Sequence, residues 1–146
     1  MKATFKQLLI ALAAVAASAL STGCTGLNSF QRAEYAQMQA QGLAVEEKNP
    51  KVATALGILP GGGSFYTRQW GLGVADLLLW PWSIAWDPFI GHSGAESINY
   101  EVSRAYVKQH QAKETRELEQ LHEDQAITQA EYIERRREVE KKYTFD

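Results

Sequence analysis

Residues 51–90, KVATALGILPGGGSFYTRQWGLGVADLLLWPWSIAWDPFI, limit what this chain can fold into more than any other stretch. Two apolar arms, 52–59 and 70–86, flank Pro60-Gly61-Gly62-Gly63, and Phe65-Tyr66 follow the break. Proline lacks the amide donor that a helix interior needs, and consecutive glycines are costly to order, so no helix should run through 60–63. The expected object is an apolar helical hairpin with a Gly-rich elbow built from Pro60, Gly61, Gly62, Gly63, Phe65 and Tyr66. The first arm gives roughly 12 Å of helix and the second roughly 25 Å, against a hydrocarbon core of roughly 30 Å. Asp76 and Pro81 interrupt the longer arm. The hairpin is therefore expected to lie in or on a membrane, or to pack on protein, with a full double span as the alternative. Trp70, Trp80, Trp82 and Trp86 are all the tryptophans of the chain, a residue enriched at membrane–water interfaces.

The same stretch resembles the short two-transmembrane-helix domain. The features that match are a basic start at Lys51, a small apolar helix with Ala53, Leu56 and Gly57, and the Gly61/Gly63 turn with Phe65-Tyr66. A second helix with Gly71 and Gly73, then Asp87 after Trp86, completes the pattern. The resemblance covers about 40 residues and implies a membrane-associated helix pair.

The first 23 residues read as a secretory signal: Lys2 and Lys6 are the charged start, residues 8–20 the apolar run, and Ser21-Thr22-Gly23 the small-residue cleavage site. The only cysteine, Cys24, follows at once. This placement resembles a bacterial lipobox, with cleavage between Gly23 and Cys24; Ser21 stands where leucine is usual, with Leu20 one position early. The resemblance implies a palmitate-bearing lipid anchor on Cys24, which also accounts for a lone exported thiol. Thr25 stands where an Asp in such lipoproteins favours inner-membrane retention, which points to the periplasmic face of the outer membrane, with the inner membrane as the other option.

Removing the signal takes away two lysines and leaves a chain more acidic than the formal −2 of the whole, with no basic patch to suggest nucleic acid. Residues 24–50 read as a tether with a short helix starting at Asn28 or Ser29. Phe30, Ala33, Tyr35, Met38 and Leu43 make a weak stripe, and Met38 is expected on the helix surface. Residues 51–92 are the hairpin, and 93–146 a helical tail. Ser93-Gly94-Ala95-Glu96 has the form of a capping box, so a long helix is expected from about Gly94 to about Glu123. Thr128-Gln129-Ala130-Glu131 repeats the form and restarts a helix. Fold class is accordingly all-α.

Leu118, Leu121, Ile127, Tyr132 and Val139 are the expected core of the short helix–turn–helix that ends the chain. Residues 118–142 resemble the SHOCT (short C-terminal) domain through Leu118, Leu121, Ile127, Thr128, Glu131, Tyr132 and Arg136, although Asp124-Gln125-Ala126 replaces the usual turn glycine. The resemblance implies a small oligomerisation or interaction module. Arg135, Arg136 and Arg137 are flanked by Glu134, Glu138 and Glu140, the mark of a solvated face more than of a site for anionic headgroups.

Chemistry-bearing patterns are sparse. His92, His110 and His122 form no HExxH, no second cysteine can complete a zinc site, and Gly61–Gly63 lack the lysine and hydroxyl of a phosphate loop. Neither Ser64 nor His92 has a nucleophile's context. Asp76 and Asp87 remain; a charge at a bilayer centre costs about 2.5–3.5 kcal/mol, so Asp76 is expected to face the turn, Arg68 or water. No cofactor or metal is expected. The whole reads as a non-enzymatic envelope lipoprotein, anchored by lipid and hairpin, whose tail self-associates or binds an envelope protein. The alternative is an accessory of a transport or signalling system with a truly spanning hairpin.

Overall fold

The structure, a computed structural model, describes residues 26–145. Gly23, Cys24 and the signal lie outside the described residues. Every regular element among the described residues is helical: α1 Ser29–Ala40, α2 Pro50–Leu56, α3 Gly62–Tyr66, α4 Trp70–Leu78, a 3-10 turn Trp82–Ala85, α5 Asp87–Glu123 and α6 Gln129–Tyr143. They form two compact units. Unit 1 takes in 48–97 with Leu27, and unit 2 is made of 28–47 and 98–145.

In unit 1 the chain stays helical only in short pieces. Asn49 caps α2, its side chain accepting from the N–H groups of Lys51 and Val52, with Pro50 in the first turn. The Pro-Gly break holds between Leu56 and Gly61, but a helix begins at Gly62, inside the expected elbow. Gly61 makes this turn in the left-handed region at φ 70°, where any side chain would be strained. The second arm stops at Leu78 instead of running to Trp86. Pro81 cannot continue the helix; it follows a cis peptide bond and leads into the 3-10 turn.

Small residues set the packing. A Cβ on Gly91 would stand 2.9 Å from the Ala53 carbonyl oxygen and 2.9 Å from Gly63 Cα, and one on Gly63 would meet the Asp87 carbonyl at 2.9 Å. So α2, α3 and the first turns of α5 approach through bare backbone. Gly73 of α4 lies under the Phe65 ring, which also meets Trp70 at 5.7 Å between centroids.

The long helix begins at Asp87, a full two turns before the expected start, and ends at Glu123 as expected. Ser93 is therefore helix interior and not a cap. Pro88 sits in the first turn, where its missing N–H costs nothing, and that start outcompetes the Ser93 pattern.

Unit 2 is built along α5 from Ile98 onward. Asn28 and Gln31 cap α1 reciprocally, and Gly42 at φ 71° ends the helical turn after it. Met38 is fully buried, which corrects its expected surface position, and Tyr35 meets Tyr100 edge-on at 6.4 Å. Tyr100 donates to Glu34 at 2.6 Å; burial first, then that bond, pushes its hydroxyl pKa up. The chain after α1 is tied to the helix by Ser103 Oγ, which accepts from the Val45 N–H at 2.8 Å, and by Asn99 Oδ1, which accepts from the Glu47 N–H at 2.9 Å.

Downstream, Thr128 and Glu131 form the expected capping box of α6. Near its end, Lys142 and Tyr143 both donate to Glu114 of α5, at 2.6 and 2.7 Å, and the Lys142 bond leads the effects that hold the Glu114 carboxyl below its ordinary range.

Candidate functional site

Asp76 and Asp87 are the only charged residues between Gln69 and Ala95, and both are buried, at 2% and 0% exposure. A charge removed from water needs partners. Asp87, at the start of α5, finds three donors at the head of α3. The Gly63 N–H lies 3.1 Å from Oδ2, and the Ser64 N–H and hydroxyl lie 3.0 and 2.6 Å from Oδ1. These two amides belong to the first turn of a five-residue helix, whose N–H groups have no partner within the helix. The carboxylate is their cap from a distance of 23 and 24 residues in sequence.

Asp76 projects from α4 onto the other side of Ser64, with Oδ2 at 2.9 Å from the hydroxyl, while Oδ1 accepts from Trp86 Nε1 at 2.7 Å. Burial raises its pKa above the ordinary carboxylate value; the Trp86 and Ser64 bonds oppose the shift, and the charge of Asp87 adds to it. Of the settings expected for Asp76, the turn is met through Ser64, which lies within the 60–66 elbow, and water is not, since the side chain is 2% exposed. It faces inward, because α4 ends early enough for the turn before α5 to bring Trp86 and Asp87 to it. Ser64, without an evident partner in sequence, is fully buried and stands between both acids.

The elbow residues are spread over three roles. Pro60 precedes the Gly61 turn, Gly62 and Gly63 open α3, and Phe65 covers Gly73. Tyr66 accepts the Asn49 N–H at 3.1 Å and lies 4.6 Å under Lys48 Nζ. Thr67, also buried, bonds back to the Gly63 carbonyl at 3.0 Å. The Ser83 hydroxyl is buried with no hydrogen-bond partner among the described residues.

The outside of unit 1 is the reverse of its inside. Leu78 and Trp82 are each 77% exposed, Phe89 73% and Trp70 67%, with Ile58, Leu77 and Trp80 more than half exposed. The apolar content that made this stretch conspicuous therefore lies largely on the surface.

In unit 2, Leu118, Leu121 and Val139 line one groove between α5 and α6 together with Glu117, Arg135 and Glu138. Leu118, Ile127, Tyr132 and Val139 are half-buried and Leu121 is exposed, so the expected core of this tail is only partly covered. Tyr132 stacks on His122 at 4.9 Å, and Thr128 and Glu131 serve as the α6 cap.

His92 is 3.2 Å from Thr54 Oγ1 and 3.6 Å from Glu96. Among the described residues no three His, Cys, Asp or Glu side chains are grouped as a metal site, and no helix is long and apolar enough to cross a membrane. No family model matches the chain, and no curated protein or solved structure matches it either.

Proposed function

We propose that this chain is a non-enzymatic envelope lipoprotein, held by a lipid on Cys24 and by unit 1 seated in one face of a bilayer. Its C-terminal helix pair is the part that self-associates or takes an envelope protein partner. One observation carries the reading: unit 1 is polar within and apolar without. Water favours the opposite arrangement, and large exposed apolar patches mark a membrane or protein contact. Between Gln69 and Ala95 the surface offers no formal charge, since Asp76 and Asp87 are inside. The helices α2 and α4, of seven and nine residues, are about 10 and 14 Å long, which suits an interfacial seat more than a double span. The membrane, and not a protein groove, is the occupant that four clustered tryptophans fit best.

The test uses the mature protein purified from membranes, whose intact mass should show acylation at Cys24 and loss of residues 1–23. Reconstituted in vesicles with brominated acyl chains, its tryptophan emission should be strongly quenched, because all four tryptophans belong to unit 1. An unacylated mass would remove the lipid anchor. Emission quenched by aqueous acrylamide but not by brominated lipid would remove the seat.

The tail is tested by crosslinking in membranes. Leu121→Asp should abolish a self- or partner-crosslinked species by placing an unpaired charge in the Leu118/Val139 groove. An unchanged crosslinking pattern would make the helix pair a passive extension.

A further inference from the structure

Three oxygens in unit 1 have too few hydrogens between them if both acids are ionised. Ser64 Oγ lies 2.6 Å from Asp87 Oδ1 and 2.9 Å from Asp76 Oδ2, yet a hydroxyl has one proton to donate. With both carboxylates charged, one of these short contacts would set oxygen lone pairs against each other, among buried atoms where an unmet polar group is costly. One added proton resolves this. Asp87 already accepts two backbone N–H groups at 3.0 and 3.1 Å, one on each oxygen, so neither of its oxygens is left without a donor. Asp76 has a single other donor, Trp86 Nε1 on Oδ1, which leaves Oδ2 free to carry a proton and donate it to Ser64. The hydroxyl then donates onward to Asp87, and every contact has a hydrogen.

We propose that unit 1 closes with one proton on Asp76, so that Asp76, Ser64 and Asp87 form a proton-held latch joining α4, α3 and α5. Among the described residues, the groups with the largest effects on Asp76 are Trp86, Ser64 and Asp87, and the only titratable one of these is another acid. The sign follows from burial. The folded carboxyl holds its proton to higher pH than the unfolded one, so the latch is fully closed below the unfolded value and loosens as pH rises toward the folded value. Within that window the closing constant should fall about tenfold per pH unit, the slope for one linked proton.

This inference goes beyond membrane seating and does not depend on it. The full-length protein in detergent is examined by infrared difference spectroscopy at about pH 6, where exposed carboxyls are ionised. Wild type should show the carbonyl band of a protonated carboxyl. Asp76→Asn should lose it and keep the fold, because the amide nitrogen can donate to Ser64 while its oxygen accepts from Trp86. Digestion by a protease should accelerate with pH in wild type, and with a much flatter profile in Asp76→Asn. Absence of the band in wild type overturns the proposal without need of any variant. So does a band that survives Asp76→Asn, or the same pH profile of digestion in both proteins.

Discussion

Asp87→Ala should unfold most of unit 1 while leaving unit 2 in place. The substitution takes the acceptor from the Gly63 and Ser64 amides, and the Ser64 hydroxyl can turn only to Asp76. A buried donor left without an acceptor costs about 1–3 kcal/mol, so two amides together cost about 2–6 kcal/mol. At about 0.05–0.15 kcal/mol per residue, a unit of this size has only about 2–8 kcal/mol in all. The loss is therefore comparable to the whole. The measurement is thermal unfolding of the full chain, read by tryptophan emission. Trp70, Trp80, Trp82 and Trp86 all lie in unit 1, so this signal is silent on unit 2. Asp87→Asn, which keeps one accepting oxygen, should fall between. A melting profile for Asp87→Ala like that of wild type would mean that α3 does not depend on this carboxylate.

Gly91→Ala should destabilise unit 1 by about 1–3 kcal/mol, the usual cost of forcing extra volume into a packed site. The atoms in the way, the Ala53 carbonyl oxygen and Gly63 Cα, are backbone and cannot turn aside as a side chain would. The matched control is Gly71→Ala, where a Cβ meets nothing within 4 Å. Both changes favour helix by up to about 1 kcal/mol over glycine. Their difference isolates the clash, and the control should melt at or above the wild-type temperature. If Gly91→Ala melts no lower than Gly71→Ala, the close approach of α2, α3 and α5 is not as described.

These two sites differ in how far the sequence foretells them. That every regular element among the described residues is helical follows from periodicity and caps, and the Thr128/Glu131 box and the end of α5 at Glu123 are legible residue by residue. The start of α5 is not. Ser93-Gly94-Ala95-Glu96 has the right letters, but Pro88 lets the helix begin earlier and the letters become helix interior. The elbow was legible as a break, yet Gly62 and Gly63 turned out to be helical, because Asp87 supplies from afar the acceptor that a local cap would have provided. The stripe of α1 is too weak to tell its buried face from its surface, and Met38, expected outside, is fully buried. The acid–serine cluster was half legible. Two aspartates alone in a charge-free apolar run must find partners, and that signal is present in the residues. Which partners they find depends on where α4 stops, which no local pattern states.

Unit 2 is interrupted in sequence by residues 48–97 of unit 1, and the two ends of the interruption meet: the Glu47 N–H bonds to Asn99 at 2.9 Å, the two residues lying 52 positions apart along the chain. Bringing together the ends of a slack chain of that length costs an entropy that grows as (3/2)RT ln n, about 3–4 kcal/mol before any constant is added. A ribosome emits α1 long before the stretch of α5 that carries Tyr100, the edge-on partner of Tyr35, so Tyr35 waits uncovered. If the intervening residues have already condensed, their ends are drawn in and the wait is short. Order of synthesis thus gives unit 1 a part in assembling its neighbour through connectivity alone, and a lesion such as Asp87→Ala should slow the burial of Tyr35 even where it leaves the final unit 2 intact.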